Sequence, residues 1–140
     1  MTVIAYRGGV LAGDGRVCEH QTIITDTDQK VFKIGDYLFG YAGPTADGEK
    51  LKRSLIKNYD PGVLKKTDGI RVSKPGKKYV IELYENGVWW VLGEEYAAIG
   101  SGSADANVAM DFGATAVEAC RAAIKRNAAC GGKIRTVTLV

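Results

Sequence analysis

The chain has 140 residues, of which 25% are charged and 46% hydrophobic, and its formal net charge is +3. This composition predicts one globular domain over residues 1–140, and it excludes a membrane protein because no apolar run is long enough to cross a bilayer. The dispersed basic residues also exclude a nucleic-acid-binding surface. No basic and apolar leader pattern stands at the start of the chain, so we expect a cytoplasmic protein.

Cysteine and histidine are too few and too widely spaced for a disulfide framework or a zinc site. They are Cys18, Cys120, Cys130 and His20. We therefore expect reduced thiols, no metal and no cofactor.

Two β-hairpins are predicted in the first third of the chain. The first joins strands at residues 3–6 and 10–12 through Gly8-Gly9, because glycine readily adopts the positive φ angles of a two-residue turn. The second joins strands at residues 30–34 and 37–42, and its apolar second strand predicts burial on both faces.

A helix is predicted at residues 45–59, after the break at Gly43-Pro44. Its apolar face is expected to comprise Leu51, Leu55, Ile56 and Tyr59. The polar, turn-rich stretch at residues 63–77 predicts a loop with at most a short strand at 70–72.

The second half of the chain predicts another hairpin, a short strand, two helices and a terminal strand. Asn86-Gly87 is the preferred pair of a type I′ turn, and Thr115 with Glu118 forms a capping-box pattern. Because the strands bury both faces and the helices fall into two groups, we expect two stacked sheets with helices outside each. The predicted elements are strands at 79–84, 88–92, 97–99 and 134–140 and helices at 103–112 and 116–128.

Thr2 follows the initiator methionine directly, at the start of the first predicted strand. If Met1 is removed, Thr2 carries both a hydroxyl nucleophile and a free α-amine that can act as its general base. An α-amine has an ordinary pKa of roughly 7.7–8.0, which suits a base at neutral pH. Many chains begin Met-Thr for ordinary processing reasons, so Thr2 alone is a weak signal.

If the first two hairpins share a sheet, Lys30 and Asp14 are the candidates to tune that amine. An ammonium close to the amine favours its neutral form, and a carboxylate can hold the lysine in place. Lys30 shares its predicted strand face with Phe32 and Ile34, which is an inward position for a charge. The alternative is an exposed lysine at a strand edge.

Two basic or glycine-rich stretches admit a phosphate-binding interpretation. The turn at residues 100–103 precedes a helix, as phosphate sites do, but it lacks the Lys-Ser/Thr pair of a P-loop. A strand-to-helix turn needs glycine for steric reasons alone, and we favour that explanation. The lysines at residues 74–78 are expected to lie in a solvated loop.

Several segments in this order and spacing resemble the β-type subunits of the proteasome family, and the first sixty residues are particularly similar to the bacterial HslV peptidase. The similarity covers most of residues 2–59 and 79–140. The segments are Thr2, Ala12-Gly13-Asp14-Gly15, Lys30, Tyr41-Ala42-Gly43-Pro44-Thr45-Ala46-Asp47, Ala98-Ile99-Gly100-Ser101-Gly102-Ser103 and the stretch 126–135.

The resemblance implies an α+β fold, the four-layer αββα sandwich of N-terminal nucleophile (Ntn) hydrolases. It implies that Thr2 is nucleophile and base and that Asp14 and Lys30 tune it. The other implied roles are an oxyanion donor at the Gly43 N–H, a hydrogen bond near the α-amine from Ser101, and substrate side-chain contacts from Tyr41 and Thr45.

This chain departs from the family pattern in three places. Asn127 stands where the family has an aspartate near the nucleophile, and Cys130 stands where it has a serine. Both can still form hydrogen bonds, although a thiol does so weakly. A short polar stretch at residues 60–78 replaces most of the second helix that is usual in the family.

The function expected from the resemblance is an N-terminal threonine peptidase that cleaves peptides or proteins inside a homo-oligomeric ring. The resemblance also admits an ATP-dependent unfoldase as a partner, and it implies neither nucleic acid nor membrane. Two alternatives stay open: a small-amide hydrolase that uses the same nucleophile, and an inactive shell or interaction subunit that keeps Met1.

Overall fold

Two antiparallel β-sheets stacked face to face form the centre of the computed structural model, which describes residues 2–139. The described residues contain eleven strands and three helices. In chain order these are β1 (Ile4–Arg7), β2 (Val10–Gly13), β3 (Val17–Glu19), β4 (Thr22–Thr25), β5 (Val31–Ile34), β6 (Tyr37–Ala42), α1 (Thr45–Lys57), β7 (Asp68–Ser73), β8 (Val80–Glu85), β9 (Val88–Leu92), β10 (Tyr96–Ile99), α2 (Ser103–Asp111), α3 (Ala116–Arg126) and β11 (Arg135–Thr138).

The first sheet has four strands in the order β10-β1-β2-β11, and the second has five in the order β5-β6-β7-β8-β9. The apolar side chains between the two sheets form one core cluster, because strand residues alternate between faces and each sheet turns one face inward. The buried members of this cluster are Ile4, Tyr6, Leu11, Val31, Leu38, Ala42, Ile70, Val72, Ile81, Ala97 and Ile99.

Helices cover the outer faces of both sheets. α2 and α3 lie on the first sheet, where Val3, Ala5 and Ala12 meet the small side chains of the two helices. α1 lies on the second sheet, where Leu51 packs with Phe39, Tyr41 and Tyr84. The order of layers is therefore helix, sheet, sheet, helix, which confirms the predicted αββα sandwich.

The local signals in the sequence account for most of the turns and for one helix start. Gly8 and Gly9 both have positive φ angles, as do Gly35, Asn86 and Gly87, and all three predicted hairpins are confirmed by antiparallel pairing. The Thr115 side chain accepts a hydrogen bond from the Glu118 N–H, and the Glu118 carboxylate accepts one from the Thr115 N–H. This reciprocal capping box starts α3 as predicted.

The predicted apolar face of α1 is partly wrong. Ile56 is 57% exposed and Tyr59 is also exposed, while the face buried on the sheet contains Gly48, Leu51 and Ser54. Successive residues of a helix are rotated by about 100°, so Ile56 turns away from the sheet when Leu51 faces it. α1 ends at Lys57, because Asn58 adopts a left-handed conformation, and Tyr59 lies beyond the helix.

The polar middle of the chain is more ordered than the sequence indicates. β7 is six residues long and lies in the centre of the second sheet, whereas the sequence predicts a loop with at most a short strand. The sequence pattern of this strand is weak because Arg71 and the end residues are polar, and only Gly69, Ile70 and Val72 are buried. The small sheet of β3 and β4 is not predicted at all, since most of its residues are exposed and give no alternation.

The predicted position of Thr2 as the first residue of a strand is wrong by two residues. The first strand begins at Ile4, so Thr2 lies just before it rather than within it.

Across residues 2–139, no helix combines the length and apolar character needed to cross a bilayer.

We expect the variant Gly48→Ala to lower the free energy of unfolding by about 1–3 kcal/mol, because a methyl group on Gly48 would overlap the Tyr41 ring. At a roomy helix position the same change would stabilise the protein by roughly 0.5–1 kcal/mol, so the sign is diagnostic. Urea denaturation measures the effect. Lys50→Ala, at an exposed position of α1, is the control and should change stability by less than about 0.5 kcal/mol. A more stable Gly48→Ala protein would contradict this packing.

Candidate active site

A cleft of about 430 Å³ opens near the start of the first strand, where β6 and β10 end and β7 begins. It brings together residues that are far apart in the sequence, because antiparallel strands return repeatedly to the same end of the sandwich. The lining residues are Thr2, Cys18, Ala42, Gly43, Pro44, Lys66, Asp68, Gly100 and Ser101.

The main chain of Thr2 is held from both sides by the turn between β10 and α2. The Thr2 nitrogen donates to the Ser101 Oγ at 3.2 Å, and the Gly102 N–H donates to the Thr2 carbonyl oxygen at 3.1 Å. Gly100 has a φ of +95°, and a Cβ there would overlap that same carbonyl. Thr2 itself is only 5% exposed, so its position is closely defined. The predicted removal of Met1 concerns a residue outside the described part of the chain.

This arrangement bears on the phosphate interpretation of residues 100–103. The Gly102 N–H, which a phosphate at the start of α2 would need, is already bound to the Thr2 carbonyl. The glycines of the turn admit the neighbouring chain rather than a ligand, which supports the steric explanation.

Asp14 and Lys30 form a buried ion pair that is bonded to Val3, the residue after Thr2, and they lie behind the lining of the cleft. The Lys30 Nζ lies 2.9 Å from the Asp14 Oδ1, and the two residues are 3% and 1% exposed. Lys30 also donates to the Arg16 carbonyl oxygen at 2.5 Å. The alternative of an exposed strand-edge lysine is therefore wrong, although Lys30 lies just ahead of β5 rather than within it. The expected shared sheet is also wrong: the first hairpin belongs to the four-stranded sheet and the second to the five-stranded one, so the ion pair joins the two sheets.

The Asp14 carboxylate also connects Thr2 to the far end of the chain. It accepts hydrogen bonds from the Val3 N–H at 3.2 Å and from the Gly131 N–H at 3.0 Å, while the Asp14 N–H donates to the Val3 carbonyl oxygen. Burying two charges is costly unless their remaining hydrogen-bonding capacity is used. These contacts meet that requirement and fix the residue that follows Thr2.

Small residues allow these segments to approach closely. The Gly15 N–H donates to the Gly131 carbonyl at 2.9 Å, and a Cβ on Gly15 would come within 2.7 Å of the Lys133 carbonyl oxygen. The Asp26 carbonyl oxygen accepts a hydrogen bond from the Lys133 N–H at 2.8 Å. Glycine at position 15 is thus needed for the segment before β11 to reach the site.

Ser101, Asn127 and Cys130 form a hydrogen-bonded group beside Thr2. The Ser101 Oγ accepts from the Thr2 nitrogen and, at 3.4 Å, from the Asn127 Nδ2, and it lies 3.9 Å from the Cys130 Sγ. Two donors occupy the hydroxyl oxygen, so its own proton is directed to the sulfur. The Asn127 Oδ1 accepts the Ala129 N–H at 3.0 Å, which sets the orientation of the amide.

The buried cysteines do not provide an alternative nucleophile. Burial raises the pKa of Cys130, and the charge of Asp14 raises it further. Burial also raises the pKa of Cys120 to about 12. Both thiols therefore stay protonated at neutral pH, and a thiol is a much weaker nucleophile than a thiolate.

Of the positions expected to contact the substrate, Gly43 lines the cleft and the other two do not. Gly43 follows β6 with a φ of +135°. Tyr41 packs on the α1 side of the sheet against Phe39, and burial raises the pKa of its hydroxyl to about 12. Thr45 is the first residue of α1 and is exposed, next to the cleft residue Pro44.

Three residues in the lining were missed by sequence reasoning: Cys18, Lys66 and Asp68. Lys66 and Asp68 reach the cleft because β7 pairs with β6 so that Asp68 lies opposite Ala42. Burial raises the pKa of Asp68, with a further contribution from the charge of Glu85. The polar residues flanking the short strand predicted at 70–72 were the available signal, but their partner strand was unknown.

Comparison with known families gives an independent result. The family model described as "Proteasome subunit" matches residues 1–88. The matched range contains Thr2, Asp14, Lys30 and Gly43, and it makes up more than half of the chain. This chain therefore belongs to the proteasome subunit family of N-terminal nucleophile hydrolases.

Proposed function

We propose that this chain is an N-terminal threonine peptidase of the proteasome and HslV type, active after removal of Met1. One observation carries the proposal. Thr2 lies in the cleft with its nitrogen bonded to Ser101, and the next residue is bonded to the Asp14 carboxylate that pairs with buried Lys30. Burying an ion pair costs desolvation free energy, so its presence beside the residue after Thr2 supports a functional role.

The proposed reaction uses both reactive groups of a processed Thr2. Its Oγ attacks the carbonyl carbon of the peptide while the α-amine takes the hydroxyl proton. The negative charge that develops on the carbonyl oxygen is stabilised by the Gly43 N–H. The C–N bond then breaks, the departing amine takes the proton, and the acyl group remains on Thr2 as an ester.

The second half of the reaction restores the enzyme. A water molecule gives a proton to the α-amine and attacks the ester carbon, and collapse of this intermediate releases the carboxylic acid and returns the proton to the Thr2 Oγ. The positive charge of Lys30 favours the neutral amine that both steps need. Ser101 orients the amine, and Asn127 and Cys130 orient Ser101 through the contacts described above.

A specific observation favours a second candidate, an inactive shell or interaction subunit. Asn127 places a neutral amide where the family has an aspartate, so the group around Ser101 has one negative charge fewer. If Met1 is retained, the Thr2 nitrogen is an amide and cannot act as a base. A small-amide hydrolase would share the chemistry of Thr2 but would not need an enclosing ring.

Proteasome subunits assemble into rings, and we propose a homo-oligomeric ring that encloses the cleft in the cytoplasm. An ATP-dependent unfoldase is the kind of partner that would deliver protein substrates to it. The surface we expect between layers is the outer face of α2 and its C-terminal end, where Val108 and Phe112, the residue that follows the helix, are exposed, Phe112 by 89%. A large exposed aromatic side chain is typical of a protein interface.

The variant Thr2→Ala should lose all measurable hydrolysis of fluorogenic peptides, whereas Thr2→Ser should keep part of it because a hydroxyl remains. Intact mass spectrometry must accompany both assays. Wild-type protein that retains Met1 in every copy and is inactive would support the shell-subunit alternative. Full activity in correctly processed Thr2→Ala would refute the nucleophile assignment.

Lys30→Ala and Asp14→Asn should each lower kcat/KM by a factor on the order of 10² or more, since each disrupts the charge that tunes the amine. The double variant should be no worse than the more damaging single variant, because the two residues act as one unit. Lys33→Ala, which replaces an exposed lysine on β5, is the control and should stay close to wild type. Circular dichroism should establish that each variant is folded. Multiplicative losses in the double variant would contradict a common role.

Phe112→Glu should reduce the mass of the assembly, because it places a charge in the proposed contact between layers. Light scattering coupled to size exclusion gives the mass directly, and a closed ring requires a multiple of the single-chain mass. Lys125→Glu, on an exposed position of α3, should leave the mass unchanged. A monomeric wild type at micromolar concentration would refute the ring and favour the small-amide hydrolase.

A further inference from the structure

The chain segment that leads into β7 packs against the α-carbon of Gly43. A Cβ on Gly43 would overlap the Lys66 carbonyl oxygen and would lie 3.0 Å from the Thr67 Cα and 3.2 Å from the Thr67 Oγ1. The α-hydrogen that glycine carries in place of a Cβ lies on the side of the Lys66 carbonyl oxygen and the Thr67 Oγ1. Such Cα–H···O contacts are weak, but they have a defined direction.

The segment 62–68 is itself firmly held, although it is polar and carries neither helix nor strand before Asp68. The Tyr84 hydroxyl donates to the Gly62 carbonyl at 2.8 Å and accepts the Leu64 N–H at 3.0 Å. The Leu64 side chain is buried in the cluster beneath α1. The Thr67 N–H then closes a turn onto the Leu64 carbonyl at 3.2 Å. The contact with Gly43 is therefore made by a rigid support.

Thr67 has an unusual position in this segment. It is 2% exposed, and its Oγ1 forms no hydrogen bond with any group in residues 2–139. Buried hydroxyl groups are normally hydrogen-bonded, so an unpaired one calls for an explanation. The Oγ1 lies instead against the α-carbon of Gly43, so its position there points to a packing role.

We propose that Thr67 is a positioning residue for the oxyanion site: together with the Lys66 carbonyl it fixes the conformation of Gly43 and so directs the Gly43 N–H into the cleft. The inference rests on the proposed function, in which that N–H stabilises the oxyanion. A donor is effective only about 2.7–3.1 Å from the place where the oxyanion will form. Gly43 can rotate more freely than any other residue type, so it needs an external constraint.

The charged residues on either side of Thr67 do not share its buried position. Lys66 and Asp68, on either side of it, both line the cleft and are exposed by area, although the Asp68 carboxyl is partly desolvated. Thr67 alone of the three turns its side chain inward. Its contribution is therefore expected in the geometry of the reaction rather than in the attraction of a charged substrate.

The test compares Thr67→Ala, which removes the oxygen and the methyl group, with Thr67→Ser, which keeps the oxygen. Thr67→Ala should lower kcat by about tenfold and change KM by less than about twofold, because the oxyanion forms only after binding. Thr67→Ser should stay within about threefold of wild type. Lys65→Ala, an exposed neighbour in the same segment, is the matched control.

A second measurement does not depend on turnover. Hydrogen exchange followed by mass spectrometry on the assembled protein should show faster exchange in a peptide spanning residues 40–44 of Thr67→Ala, by about tenfold. A peptide from β1 should exchange as in wild type, and so should residues 40–44 of Lys65→Ala. This result would separate a local effect on Gly43 from general loosening of the fold.

The possible outcomes distinguish the positioning role of Thr67 from the proposed peptidase function. Unchanged kcat and unchanged exchange at residues 40–44 in Thr67→Ala would overturn the positioning role, and so would a Thr67→Ser variant as impaired as Thr67→Ala. If processed wild-type protein hydrolyses no peptide, the proposed function fails. The exchange comparison then decides by itself whether Thr67 constrains Gly43.

Discussion

The buried ion pair between Asp14 and Lys30 is the interaction on which the rest of the site depends. The Asp14 carboxylate bonds the Val3 N–H ahead of β1, the Lys30 ammonium ahead of β5 and the Gly131 N–H ahead of β11. These three segments belong to different layers or edges of the sandwich. Since a buried carboxylate is costly unless paired and hydrogen-bonded, the three contacts stabilise one another and define one arrangement.

Close approach of the main chain is the second constraint, and it explains why glycine recurs around Thr2. Gly15 lets the segment before β11 reach Asp14, Gly100 lets the turn before α2 enclose the Thr2 carbonyl, and Gly43 admits the Lys66 carbonyl. In each case a Cβ would meet main-chain atoms that cannot move aside. The site is therefore formed mainly by backbone geometry, and the reactive side chains are few.

The departures from the family pattern change the surroundings of the site more than its centre. Asn127 and Cys130 still take part in one hydrogen-bonded group with Ser101, in spite of their altered chemistry. The short polar stretch between α1 and β7 contributes the support behind Gly43 and two charged residues of the cleft, Lys66 and Asp68. The residues between α1 and β7 thus help to enclose the cleft beside Thr2.

The sequence alone determined the layers of the fold, because hydrophobic alternation, Gly-Gly and Asn-Gly turns and the Thr115 capping box are local signals that the tertiary structure did not override. The family resemblance, more than the inward position of Lys30, indicated Asp14 and Lys30 as a pair. Only the tertiary structure decided that β7 is a central strand, that Ile56 is exposed, that Tyr41 packs beneath α1, and that Lys66, Thr67 and Asp68 lie beside Gly43. These features depend on strand pairing between distant segments, such as Ala42 with Asp68, and the register of such a pairing is a property of the assembled sheet rather than of either strand.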